Sequence, residues 1–431
     1  MSAVIPSVIM APYIAGFNTS YFMFDTPELV YDPHFITAFS LENQLVFATG
    51  LMDFGAKLDP HLATFLTLIS IAELLTRQPD STAVGIYPSP APSSFTYRSE
   101  QDIIVRDPIP WIQIVVKLIF LAWGAAVLVL YLHSIFHTHS STLVGCLAST
   151  RPWFSRQISC STLVIDCHAR GVASPELYAF DALESAALAA ISFTHCPELR
   201  IPSAIQQFSN LRVLHVYNST VMEWSREAGG ISPLAHPRMS EIVVTRSWFP
   251  FGFPQGLLQP LPTSMVSICF SITDLAELPD NLHLYWPPMA TVVFEFAELT
   301  TYPPSLLSVK AFAISLRGNK LETMPELAGV APGTVLPVFS LEGNPLKELP
   351  ASLWSTSIFF GRLNLENSNL IALPAWTDTQ VLDTMYMYNT PYCREIAAEH
   401  RKHNVQCSFH PERNLFVELP FQLIDKLYRL T

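Results

Sequence analysis

Through the second half of the chain large apolar residues recur in one arrangement, Leu-x-x-Leu-x-Leu-x-x-Asn-x-Leu, with a proline four residues further on. Two copies show it with least degeneration: Ala311, Ile314, Leu316, Asn319 and Leu321 with Pro325, and Leu336, Phe339, Leu341, Asn344 and Leu346 with Pro350. Numbering these positions 1, 4, 6, 9 and 11 places the weaker copies by register. Downstream come Phe360, Leu363, Leu365, Ser368 and Leu370 with Pro374, then Leu382, Met385, Met387, Thr390 and Tyr392. Upstream come copies that start at Met289, Met265, Met239, Leu211 and Leu188, and a degenerate first one at Thr162, Ile165, Cys167 and Val172.

Positions 4 and 6 lie two apart, so on a short strand both point to one side while 3, 5 and 7 point to the other. The pattern therefore predicts one strand per copy, with 4 and 6 in a core that adjoining copies share. Asn at position 9 can bond the turning backbone, and Ser, Thr or Cys stand in for it elsewhere. Proline at the constant offset, seen at Pro202, Pro279, Pro303, Pro325, Pro350 and Pro374, ends strand pairing and begins the return segment.

The opposite face becomes the candidate for recognition. Position 7 gives a column of Thr194, Tyr217, Thr245, Ser271, Glu295, Arg317, Glu342, Glu366 and Tyr388, and position 5 a neighbouring one that includes His215, Asn364 and Tyr386. These side chains are expected to be exposed, polar, and acidic toward the C-terminal half. Tyrosine and arginine on a rigid scaffold are frequent interface anchors, and an acidic column suits a basic partner. The candidate partner-binding residues are Tyr217, Glu295, Arg317, Glu342, Asn364, Glu366, Tyr386 and Tyr388.

About nine copies at about 22 to 28 residue spacing, with Leu275-Leu278-Pro279-Leu282 and Leu346-Leu349-Pro350-Leu353, make residues 158–407 similar to the leucine-rich repeat superfamily, in its LxxLPxxL class. The resemblance implies an α/β leucine-rich repeat solenoid, a curved parallel sheet with an irregular or short helical convex side. It also implies a protein or peptide partner on the concave face, though members share no common partner.

A second signal is the stretch from Ile109 to Phe136, whose only charge up to Leu132 is Lys117. It has the roughly 20 apolar residues that a bilayer core requires, with Trp111 and Tyr131 near its ends. The resulting organisation is an N-terminal, mainly helical region (1–78), a Pro/Ser-rich linker (79–108), a transmembrane helix (109–136) contacting the lipid bilayer, a connecting segment (137–157), the repeat domain (158–392), and a C-terminal cap and tail (393–431). Only 14% of residues are charged and the mean hydropathy is +0.30, which suits a membrane protein with a folded domain. The net charge of -12 argues against nucleic acid. Flanking basic residues are too few to orient a span.

Two glycosylation sequons begin at Asn18 and Asn218, on opposite sides of that stretch, so a single crossing would let only one be modified. Asn218 lies just before position 9, where a glycan fits at the rim. Cys393 and Cys407 bracket a short amphipathic segment after the last copy, and a disulfide there would close a cap in an oxidising compartment. Cys167 and Cys196 fall at core and turn positions, where free thiols act as small hydrophobes. These features favour an extracellular or luminal repeat domain.

No catalytic constellation stands out. His133, His137 and His139 cluster after the apolar stretch, where His-x-His is a possible metal-ligand pair but reads better as interfacial residues of the exit segment, and Asp166 and His168 alternate on a strand without a nucleophile elbow nearby. Walker, dinucleotide, zinc-protease and kinase motifs are missing, and no cofactor or metal is expected. The expectation is a non-enzymatic, membrane-anchored binding protein with a receptor-like, adhesion or scaffold role. The alternatives are a structural subunit of a membrane complex, and a fragment of a membrane enzyme whose catalytic part is not recognisable.

Overall fold

Each copy of the motif forms one short strand, and successive copies lie side by side. In the computed structural model, twelve strands make one sheet in chain order: β1 (Cys146–Ser149), β2 (Cys160–Asp166), β3 (Ala190–Thr194), β4 (Val213–Tyr217), β5 (Glu241–Ser247), β6 (Ser267–Thr273), β7 (Thr291–Glu295), β8 (Ala313–Ser315), β9 (Val335–Ser340), β10 (Phe359–Asn364), β11 (Val381–Tyr386) and β12 (Val405–Gln406). β1 runs antiparallel to β2 and the other pairings are parallel. The structure describes residues 11–18, 23–24, 29 and 31–46, scattered positions between 58 and 133, and residues 143–149, 157–175, 178–324, 327, 330–409 and 419–429. The chain divides into two units, residues 1–15 with 40–137, and residues 16–39 with 138–431. The sheet belongs to the second.

Position 4 of each copy pairs with position 4 of the next, through Ile191, Leu214, Ile242, Ile268, Val292, Ile314, Phe339, Leu363 and Met385. These residues and their position 6 neighbours are buried in one core. Aromatic residues fill its wider parts: Phe270 stacks on Phe294 at 5.2 Å, and Phe339 on Phe360 at 5.6 Å. Return segments are loops and single-turn helices such as Ser203–Gln207 and Pro304–Ser308, so helix is a minor component of this unit.

Strand gives way to turn through one conformation. Position 8 of all nine copies, from His195 and Asn218 to Asn367 and Asn389, has φ between 46° and 70°. Gly318, Gly343 and the asparagines adopt that left-handed region readily, whereas Ile272 and Phe296 do so at a conformational cost. Position 9 then anchors the turn. Asn319 Nδ2 donates to the carbonyls of Phe294 and Leu316 while its Oδ1 accepts from Leu299 N–H. Asn344 repeats this with the Leu316 and Leu341 carbonyls and Leu321 N–H.

Several expectations need correction. In the first copy Leu163 pairs with Ile191 and Ile165 with Phe193, so Leu163 and Ile165 occupy positions 4 and 6, and the register slides by two residues. Met289 is 66% exposed, with the neighbouring Ala290 buried in its place. Leu382 is likewise 60% exposed and Val381 buried, because the pairing of β10 with β11 shifts register between Phe360 and Arg362. Cys167 and Cys196 are joined rather than free, and a further disulfide links Cys146 to Cys160 across β1 and β2.

The fold class itself is corrected. In place of an α/β leucine-rich repeat solenoid preceded by a transmembrane α-helix, the described residues form a mixed α/β arrangement, a 12-stranded, mostly parallel sheet with few helices. Described residues on both faces of the sheet are buried, among them Val243, Ser271, Glu342 and Glu366 on the side opposite the core, the usual condition of parallel strands. Among the described residues, no helix is long and apolar enough to cross a membrane. Described positions of the 109–136 stretch, such as Leu118, Ile119 and Trp123, are helical and exposed, while Trp111, Lys117 and Tyr131 lie outside the described residues. The 79–108 linker, Pro325, His137 and His139 lie outside them too.

Candidate functional site

The face opposite the core carries a second apolar cluster, and the chain's own C-terminus supplies part of it. Val243, Cys269, Val293, Ala313 and Val338 pack with Tyr31 and Tyr217, and with Leu419, Ile424 and Tyr428. The last two lie on helix α1 (Phe421–Tyr428). Its residues Phe421, Ile424 and Tyr428 are spaced i, i+3 and i+7 and so share one stripe. Eight residues are too few for a stable isolated helix, so the seat on the sheet is what holds it.

Two polar anchors and one aromatic contact fix the helix. Tyr428 OH lies 2.8 Å from both Ser192 Oγ and His215 Nδ1, and His215 Nε2 lies 3.4 Å from Glu241 Oε1. Ser192, His215 and Glu241 stand on β3, β4 and β5, and all are buried. One turn earlier, Arg246 Nε and Nη2 donate to Asp425 Oδ1 and Oδ2, both at 2.8 Å, and Tyr217 OH donates to Asp425 Oδ1 at 2.8 Å. At the start of the helix the Phe421 ring meets Phe296 edge-on at 5.4 Å. Arg317 in turn stacks over Phe296, with its guanidinium 5.3 Å from the ring centre.

The charges respond to these partners. Hydrogen bonding to Arg246 holds the Asp425 carboxyl below the ordinary range, against the opposing effect of burial. Burial pushes the Tyr217 hydroxyl up to about 12, helped by Asp425. Burial also raises Tyr428 and Glu241, the latter partly offset by His215. Beside this lattice lies a cavity of about 760 Å³ lined by Tyr217, Asn218, Arg246, Gln422, Asp425, Lys426 and Arg429.

The sequence-derived columns are therefore buried rather than open. Tyr217, Glu295, Glu342, Asn364, Glu366 and Tyr386 are all buried, Arg317 is mostly so, and Tyr388 alone of the eight is exposed. Several do converge. Arg317 Nε lies 3.6 Å from Glu342 Oε1, Asn364 Nδ2 donates to Glu342 Oε2 at 3.2 Å, and Ser315 Oγ donates to Glu295 Oε1 at 2.6 Å. Tyr388 stands apart, edge-on to Phe409 at 5.8 Å. Asn218 is half-buried at the cavity rim with φ 46°, and Cys393 is joined to Cys407. Asp166 and His168 do not share an exposed strand face: Asp166 caps the turn of helix that contains His168, and Asp166 Oδ2 lies 3.2 Å from His195 Nδ1.

Strand periodicity does not bring out His215, Glu241, Arg246, Asp425 and Tyr428 as a group. Arg246 sits at position 8, outside the columns that strand periodicity picks out. The apolar spacing of FQLIDKLY was a signal for α1, and nothing in the motif indicated where it would dock. Among the described residues no group of His, Cys, Asp and Glu could hold a metal ion.

No family model and no curated protein matches the chain. Among solved structures, a chain of the "Octameric complex of Latrophilin 3 (Lec, Olf), Unc5D (Ig, Ig2, TSP1) and FLRT2 (LRR)" is similar at 14% identity over 64% of this chain and 91% of that one, with a TM-score of 0.38. Similarity at that level carries no argument about function.

Proposed function

We propose that the chain is a recognition module, without catalytic activity, that binds a protein or peptide on the sheet face opposite its core. One observation carries the reading: that face already holds a helix through a directional set of apolar and polar contacts, which a merely structural face would not need. A parallel sheet offers no free backbone donors within its ladder, so recognition falls to side chains, and Arg246, Tyr217 and His215 supply it. Six of the seven cysteines are bridged, which supports an extracellular or luminal setting, because such bonds persist in oxidising compartments.

The reading is tested by panning a library of displayed helical peptides against the full chain and against Arg246→Asp. Peptides enriched on the first and lost on the second support it. A library that yields nothing, or ligands indifferent to Arg246, counts against it.

A further inference from the structure

We infer that α1 is an internal ligand of this face, and that the partner is an amphipathic helix bearing the same anchors: an aromatic residue, an aliphatic residue three positions on, an aspartate next, and a tyrosine three further. The inference rests on the recognition reading above and adds the chemistry of the partner and the means by which the site is kept closed.

Each anchor of α1 meets a matched group. Phe421 meets Phe296, Ile424 enters the apolar cluster, Asp425 receives both arms of Arg246 and the Tyr217 hydroxyl, and Tyr428 reaches the pair Ser192 and His215. A helix that served only as a lid would need the apolar stripe alone. Bidentate recognition of a carboxylate fixes position and direction, which is what a site for a particular helix requires.

The fit of α1 is nonetheless incomplete. On the same face, beside the seat, the hydroxyl oxygen of Thr245 is buried without a hydrogen-bond partner. A buried hydroxyl so left is a standing cost, and a partner helix with a polar group over Thr245 would remove part of it. Thr245 adjoins Arg246 in sequence and pairs with Tyr217 across β4 and β5, so the deficit sits beside the aspartate seat.

The latch is also releasable. The Arg246 and Asp425 side chains are 39% and 36% exposed, so water screens their attraction and can replace it. Once lifted, eight residues do not hold a helix, and α1 would leave unfolded. A tethered segment competes at the high effective concentration of its own chain, so a partner binds more weakly to the closed protein than its contacts allow, by the fraction of time that the face is open.

The experiment uses the full chain and a fluorescein-labelled peptide of residues 419–429. Wild type is compared with Asp425→Arg, which sets two arginines against each other and frees α1 while leaving the face itself unaltered. The inference predicts at least tenfold tighter peptide binding to Asp425→Arg, lost again when Arg246→Asp is added, together with loss of hydrogen-exchange protection at residues 424–428. Thermal melting unchanged from wild type establishes that the variant is folded. Equal affinity for the two proteins, or none for either, overturns the inference. If panning on the same variant still returns ligands sensitive to Arg246, the recognition reading stands while the self-ligand idea falls. A wild-type dimer that Asp425→Arg dissolves would assign the seat to a second copy's helix and would also overturn it.

Discussion

The two faces of the sheet are built from the same strands and are both buried, yet they are held in different ways. On the core face, residues two apart in the motif put aliphatic and aromatic side chains into one continuous cluster, from Leu163 to Tyr392. The opposite face mixes Val243, Cys269 and Val293 with Ser192, His215 and Glu241, and its cover includes an eight-residue helix from the far end of the chain. Burial alone therefore does not distinguish structure from recognition. Directional polar contacts are put to different uses: on the core side they tie turns and return segments to adjoining coils, through Asn319, Asn344 and Trp286 among others, whereas the other face uses them to seat a helix.

That contrast can be broken from the core side first. Phe270→Ala removes a fully buried ring stacked on Phe294 and should cost about 3–5 kcal/mol, read as a fall in thermal or denaturant stability. An equal loss of global stability from Ala substitution of Ile424 would erase the distinction between the faces. The Cys393→Ser/Cys407→Ser pair opens a 14-residue separation and should cost about 3 kcal/mol, with β12 fraying first in hydrogen exchange. Asn344→Ala leaves Leu321 N–H and two carbonyls without their partner, at about 1–3 kcal/mol.

Effects on the opposite face should be smaller and local. Tyr428→Phe keeps the ring but removes the hydroxyl that joins Ser192 and His215, and should loosen α1 by about 1 kcal/mol with little change in the melting of the sheet. Acid should act more weakly still. Asp425 has a folded-state pKa below its ordinary value, so its contribution to docking is present above the usual aspartate pKa of about 3.9 and is lost as pH falls through the depressed value. Glu241, raised by burial, works in the other sense: the neutral carboxyl suits the seat below its ordinary pKa, and that contribution is lost as pH rises through the raised value. Exchange rates of α1 amides, corrected for intrinsic pH dependence, should rise at the acid end, and Glu241→Gln should remove only the loss at the upper end.

The strand positions could be located from sequence because they depend on a period of two and a turn of fixed chemistry, both local. Leu214, Ile242, Ile268 and Val292 align across the sheet through that period alone. Where local signals compete, the register slipped: at Met289, a left-handed φ of 67° turns the side chain outward, and at Leu382 the bulge in the ladder does the same. The pairing of Cys167 with Cys196 was hidden because both positions also suit a small hydrophobe. Least legible was the cover of the second face. Polar residues at positions 5 and 7 read as solvent-facing, yet Ser192, His215 and Tyr217 are interior through contacts with Tyr428 and Asp425, 208 to 236 positions away.

A charge exchange tests the central claim most directly, that α1 is seated by specific recognition rather than by burial alone. Hydrogen-exchange protection of residues 424–428 is measured in wild type, Arg246→Asp, Asp425→Arg and the double variant. Protection lost in each single variant and regained in the double one is the predicted result. Protection that survives either single reversal, or that the double variant fails to restore, would contradict it.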